Sequence, residues 1–249
     1  MPSVGCSRLA NAVCFPVEGS MEERNPSEDI WRAVHSRAGP PEEVRADILR
    51  AAAGAFMERG YAATSINDVA DSLGSTKGKI YHYYRSKTDI FIDVHLEALR
   101  QLLDRVGAIA ARKDLPPRVR IYAMCHQHVT VFMTTIAYQK ATILGMNRFL
   151  LSITNSAQEA ATRAVQQGRD DYERLYVDAI KEGIAAGELA PADPRRVVKP
   201  LLGALNWANL WFDAMATVSP EELEDVADTL ASYCIAALVN LPPAAEPAA

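Results

Sequence analysis

From Gly74 to Ile90 the chain carries Lys77, Lys79, Arg85 and Lys87 against the single acid Asp89, a net charge of +3 inside a chain whose total is -5. Tyr81, Tyr83 and Tyr84 are interleaved with these cations. Cations and phenols on one short stretch suit a phosphate backbone. Their confinement there argues for a site-specific nucleic-acid reader over a coat protein, which would be basic throughout. The preceding residues supply a scaffold. Ser65 and Asp68 stand at capping-box spacing ahead of Ile66, Val69, Ala70 and Leu73, which predicts a helix of about two turns. Gly74 closes it, and Ser75 and Thr76 cap a second helix from Lys77. On that second helix Ile80 and Tyr84 share an inner face, while Lys77 and Tyr81 share an outer one. Two short helices joined by a glycine turn, basic face outward, have the build of a helix-turn-helix DNA reader.

The run from Ile48 through Ile90 also resembles the TetR family of bacterial transcriptional regulators. An alanine-rich helix ends at Arg59-Gly60-Tyr61, followed by Ala63-Thr64, Ile66, Asp68-Val69-Ala70, Gly74, Lys77-Gly78, Tyr81 and Ser86-Lys87. The resemblance implies an all-α protein, in which an N-terminal three-helix DNA-binding domain precedes a larger helical domain for ligand binding and dimerisation. It also implies base-facing roles for Lys77, Gly78 and Lys79, and phosphate contacts for Thr64, Ser65, Thr76, Tyr81, Tyr83 and Lys87. A solvated helix face is the competing reading for the lysines, and packing for Tyr81. Ser75 departs from the apolar residue usual in the family, and Tyr83-Tyr84 replaces the usual His-Phe.

The rest of the chain must position this motif. At 249 residues, 49% of them hydrophobic and 7% aromatic, it can bury a sizeable all-helical core, and no apolar run is long enough to span a membrane. Prolines 2, 16, 26, 40 and 41 interrupt the start, which lacks the pattern of a secretion signal; Met21 is an alternative start. The expected organisation is a disordered tail over 1–40, a DNA-binding domain over 41–91, a ligand-binding and dimerisation domain over 92–242, and a disordered tail over 243–249. Cys6, Cys14, Cys125 and Cys234 show no metal spacing and read as reduced thiols, consistent with a cytoplasmic protein.

A Ser86–Asp89 box opens a helix carried to about Arg112, followed by helices near 117–137, 139–151 and 156–186. Asp193-Pro194 and Ser219-Pro220 open the last two. Leu201, Leu202 and Leu205 stripe one of these, and Leu223, Val226, Leu230, Tyr233 and Leu241 the other, which suggests a four-helix interface in a homodimer and hence a palindromic double-stranded DNA operator. A cavity for a small-molecule effector is expected among Met124, His128, Phe132, Met133, Met146, Phe149, Tyr172, Tyr176, Trp207 and Trp211, with plain core packing as the competing reading. Leu201 to Phe212 resembles the corresponding helix of acyl-CoA-responsive family members, which implies an amphipathic effector whose phosphates meet Arg148 or Arg174. His126 and His128 diverge on a helix, so no metal site is assigned, nor any cofactor. The sequence has no phosphate loop or serine elbow, so the chain is expected not to be an enzyme. A helical-bundle enzyme acting on the same ligand, or a scaffold with a vestigial DNA site, remain the rival readings.

Overall fold

Side-chain caps set several of the helix starts. The computed structural model describes residues 42–150, 153–211 and 219–241, and the expected tails lie outside these. Among the described residues the helices are α1 Glu42–Ala63, α2 Ile66–Ser72, α3 Lys77–Tyr83, α4 Lys87–Ala110, α5 Pro117–Thr134, α6 Ile136–Leu150, α7 Ser156–Ala185, α8 Pro194–Trp211 and α9 Pro220–Val239. The all-α expectation holds.

Ser65 and Asp68 form both halves of a capping box: Asp68 N donates to Ser65 Oγ at 3.2 Å, and Ser65 N donates to Asp68 Oδ2 at 2.7 Å. The Ser65 hydroxyl and amide, and then the paired Arg59, hold the Asp68 carboxyl below its usual range. Ser219 and Glu222 repeat the box at α9. At α4 only the forward half forms, with Asp89 N on Ser86 Oγ at 3.1 Å, because the Asp89 carboxylate accepts from Gln158 Nε2 of α7 at 2.9 Å. Gly60 sits at φ 76, ψ 157, a region essentially restricted to glycine, and breaks α1 before its last residues.

That break leaves carbonyls without helical partners. Lys87 collects them: its Nζ donates to the carbonyls of Tyr61 at 2.6 Å, Ala62 at 3.2 Å and Thr64 at 2.7 Å, and lies 4.6 Å from the Tyr61 ring centre. Partial burial lowers its pKa.

Two apolar clusters share α4. One gathers Ile48, Leu49 and Phe56 of α1, Val69 of α2, Ile80 of α3 and Ile90 and Phe91 of α4, and is closed by Ala141 of α6 and Ala161 and Val165 of α7. The other joins Leu102 and Val106 of α4 to Met124 and Val129 of α5, Tyr176 and Ile180 of α7, Leu205 of α8 and Ile235 of α9. Between α6 and α4 the approach is tight, since a Cβ on Gly145 would lie 2.4 Å from the Phe91 ring. Buried polar links add to the seam: Arg45 of α1 reaches Glu97 of α4 at 3.7 Å, and Tyr84 Oη donates to Asp93 at 2.8 Å.

Replacing Lys87 by Met should lower the unfolding free energy by roughly 1–3 kcal/mol, because three carbonyls lose a charged donor. Urea unfolding followed by circular dichroism checks this, and an unchanged midpoint would exclude the staple.

Candidate nucleic-acid interface and ligand cavity

Ile80 of α3 is fully buried and Tyr84, its C-cap, is buried as well, so the short helix is pinned by its inner face. Lys77, Gly78, Lys79, Tyr81 and His82 are exposed. Lys77 Nζ stands 5.3 Å from the Tyr81 ring centre, and Tyr81 is 45% exposed although it is a large aromatic. A Cβ at Gly78 would meet only Thr76 Oγ1, at 3.9 Å, so the fold itself does not require glycine there. Thr76 is exposed and its Oγ1 accepts from Lys79 N at 3.4 Å; Ser65 is exposed but engaged in its capping box. Tyr83 is half-buried against the α1–α4 cluster.

Two expected phosphate ligands are placed otherwise. Thr64 is 1% exposed, and its hydroxyl donates to the carbonyls of Gly60 at 2.8 Å and Ala55 at 3.1 Å, so its only proton is used inside the fold. Lys87 has its three donors on the carbonyls of Tyr61 and Ala62 at the end of α1 and of Thr64 just beyond it, and is better described as a structural staple. The outward cations of α3 are Lys77 and Lys79.

A cavity of about 580 Å³ opens between α4 and α8. Each helix contributes residues at helical spacing: His95, Ala98, Leu99 and Leu102 from α4; His128 and Phe132 from α5; Gln139, Thr142 and Ile143 from α6. Gln166, Arg169, Asp170 and Glu173 from α7 face Lys199, Leu202, Gly203 and Asn206 from α8, and Tyr172 completes the lining. Inside, the His128 ring stacks on Phe132 at 4.3 Å. At the mouth, Lys199 pairs with Glu173 at 2.6 Å, whereas Arg169 makes no ion pair among the described residues. His95 also touches Phe91, ring centres 5.2 Å apart, and Phe91 contacts Tyr61 at 4.7 Å and Phe56 at 5.3 Å. A single turn of α4 thus separates the cavity wall from the core beneath the exposed α3 face.

Of the expected ligand residues, the structure brings His128, Phe132 and Tyr172 to the cavity. Met124, Met133 and Tyr176 pack in the core beside it. Arg174 is exposed, bonded to Asp171 at 2.7 Å, and does not line the cavity; Trp207 is 62% exposed and points away from the lining. The side chains of Met146, Arg148, Phe149 and Trp211 lie outside the described residues. Sequence reasoning missed His95, Gln139, Thr142, Arg169 and Lys199. The signal for His95 was the 95, 98, 99, 102 spacing on the helix that the Ser86–Asp89 box opens.

Known proteins share this arrangement. Residues 48–94 match the family described as bacterial regulatory proteins, tetR family, and residues 114–238 match the tetracyclin repressor-like C-terminal domain. The transcriptional repressor KstR2 of Mycolicibacterium smegmatis is 24% identical over 191 residues, spanning 74% of this chain and 86% of that protein. The regulator PfmR of Thermus thermophilus has a similar structure, with a TM-score of 0.65 at 25% identity over 76% of this chain and 97% of that one. AibR, in complex with isovaleryl coenzyme A and operator DNA, shares the fold with a TM-score of 0.62 at 18% identity, over 78% and 97%. Among the described residues no helix is long and apolar enough to cross a membrane, and no cluster of His, Cys, Asp and Glu could hold a metal.

The two cavity histidines make folding sensitive to acid. Burial, helped by Arg169, pushes His95 down to about 3, and burial pushes His128 down to about 3 against a smaller opposing effect of Asn206. Their folded pKa values lie below the ordinary 6.5, so the unfolded chain takes up protons first. Stability from neutral burial is therefore full above that value and is lost as pH falls towards 3. Urea titrations at about pH 7.5 and about pH 5.5 should differ by roughly 2–3 kcal/mol, the more acidic sample being weaker. A flat profile would show that the rings are not held neutral.

Proposed function

Because the chain belongs to the tetR family of bacterial regulatory proteins, we propose that it is a transcriptional repressor that holds a palindromic operator as a homodimer and lets go when an amphipathic small molecule enters the α4–α8 cavity. In this reading residues 41–91 bind DNA in the cytoplasm, and residues 92–242 bind the ligand and dimerise. The observation that carries it is the outward, basic face of α3 on a core that shares α4 with the cavity. Lys77, Gly78 and Lys79 meet base edges, and Thr76, Tyr81 and the exposed rim of Tyr83 meet phosphates.

Dimerisation is supported by the outer faces of α8 and α9. Leu223, Val226 and Leu230 are only partly buried, Tyr233 is 65% exposed and Trp207 stands out of α8, while the inner face of α9 is used by Ala227, Ala231, Cys234, Ile235 and Leu238. Pairing of such faces by a two-fold axis would set two α3 helices about 34–36 Å apart, one turn of DNA, which is what makes the operator a palindrome.

An acyl-CoA thioester is the finer proposal for the effector, supported by the AibR complex. The acyl chain would enter between Leu99, Leu102, Phe132 and Leu202, and the phosphates would remain at the mouth near Arg169 and Lys199. A ligand that binds the released conformation tenfold more tightly shifts the balance by about 1.4 kcal/mol. The rival enzyme reading predicts turnover of candidate thioesters, and the scaffold reading predicts no footprint on the gene's own upstream region.

Lys77→Ala should weaken operator binding about tenfold or more and relax base preference at its contact, with a folding free energy unchanged within error. Gel shifts on the footprinted operator and on single-base variants check this; wild-type affinity and specificity in the variant would overturn the assignment of α3.

A further inference from the structure

One histidine in the cavity wall has a proton that can be located by counting hydrogens. Tyr176 Oη lies 3.0 Å from the Met124 carbonyl, which can only accept, so the one Tyr176 hydroxyl proton is used there. Tyr172 Oη lies 3.3 Å from Tyr176 Oη, and with the Tyr176 proton committed, Tyr172 is the donor between them. The Tyr172 oxygen also lies 2.7 Å from His128 Nδ1, and with the Tyr172 proton on Tyr176 the hydrogen of this shorter bond is assigned to Nδ1. The chain of donors therefore runs His128 to Tyr172 to Tyr176 to Met124. Burial keeps the ring neutral, which leaves Nε2 as a bare lone pair.

Among the described residues no group meets hydrogen-bond geometry on that nitrogen. His128 is 1% exposed, its ring lines the cavity, and Nε2 has no hydrogen-bond partner among the described residues. Asn206 also lines this part of the cavity without reaching hydrogen-bond geometry on Nε2. A buried acceptor in this position is satisfied only by a molecule that brings its own proton.

We propose that the cavity selects ligands carrying a neutral hydrogen-bond donor, an alcohol hydroxyl or an amide N–H, on the part that reaches His128, with Nε2 as the acceptor. The proposal rests on the α4–α8 cavity being the effector site. The ligand class is a hydroxylated or amide-bearing amphipath: Leu99, Leu102 and Phe132 take hydrocarbon, and Nε2 takes the donor. A carboxylate end is disfavoured, because it would press a charged acceptor against a neutral one.

The test uses the full chain and three probes of one length, 1-decanol, decyl methyl ether and decanoate, with calorimetric titration. The wild type should bind the alcohol about tenfold more tightly than the ether or the carboxylate. In His128→Phe the alcohol and the ether should bind equally, and retained ether binding shows that the cavity survives. Nitrogen-15 spectra of histidine-labelled wild type, with the His128 signal identified by its loss in the variant, should show a protonated Nδ1 and a bare Nε2. Equal binding of alcohol and ether by the wild type, or a proton on Nε2, overturns the proposal. The wild-type comparison decides even where the variant does not fold. An alcohol preference with no effect on operator affinity supports the donor assignment and rejects the effector reading, so the two can fail separately.

Discussion

α4 has to be buried on two sides at once, and most of the architecture follows from that constraint. Its first turns carry Ile90, Phe91 and Val94 into the core beneath α1 to α3, while its later turns carry Leu102, Leu103 and Val106 into the core of the larger helical body. Between the two lies His95, which belongs to the cavity wall and touches Phe91. A helix of 24 residues held by close-packed side chains at both ends cannot absorb a displacement locally. A ligand that pushes on the His95, Leu99 and Leu102 face must therefore move the Phe91 contacts, or rotate the whole helix. Gly145 narrows the choice, because α6 leaves no clearance at the Phe91 ring. Motion of α4 is then passed to α6, on which α1 also rests.

The proposed DNA-facing surface is defined by which polar groups the fold leaves unused. Thr64 and Lys87 share the residue types of the proposed contacts, but carbonyls around the break at Gly60 consume their donors. A lysine with three close carbonyl acceptors has no donor left for a phosphate. The side chains of Lys77, Lys79 and Tyr81 are exposed and remain available. The division between staple and reader is thus a matter of hydrogen-bond accounting more than of residue type.

Local rules were legible in the sequence and global ones were not. Ser65, Thr76, Ser86, Ser219 and the prolines at 117, 194 and 220 announce helix starts through their own backbone chemistry, and the helices begin there. Gly187, at φ 71, ends α7 where its type implied. The cavity could not be read in this way, because its wall is assembled from five helices whose rotation is set by packing. Methionines drew attention as ligand-lining residues, yet Met124 and Met133 fill core between helices, where an unbranched side chain serves best. The actual lining is largely polar: His95, Gln139, Thr142 and Gln166 look like ordinary helix residues until four other helices surround them. Arg174 failed for a related reason, since neighbouring positions on a helix point about 100° apart and Asp171 was at hand to pair with it.

The mouth and the interior of the proposed effector cavity would sort ligands by different physics. At the mouth Arg169 and Lys199 face Asp170 and Glu173, two charges of each sign, and Lys199 is already bonded to Glu173. A phosphate arriving there gains little from the net field and gains mainly by engaging Arg169 or by displacing Glu173, both in water-screened surroundings where such contacts are weak. Inside, burial holds His95 and His128 neutral, so charge is penalised and one directional hydrogen bond counts for more than it would at the surface. Apolar contact sets how tightly a hydrocarbon chain is held, but many chains satisfy it. In the proposed site, discrimination between similar amphipaths would fall to the polar end that reaches α5, because a mismatch there leaves a buried group unpaired, whereas a mismatch at the mouth is repaired by solvent.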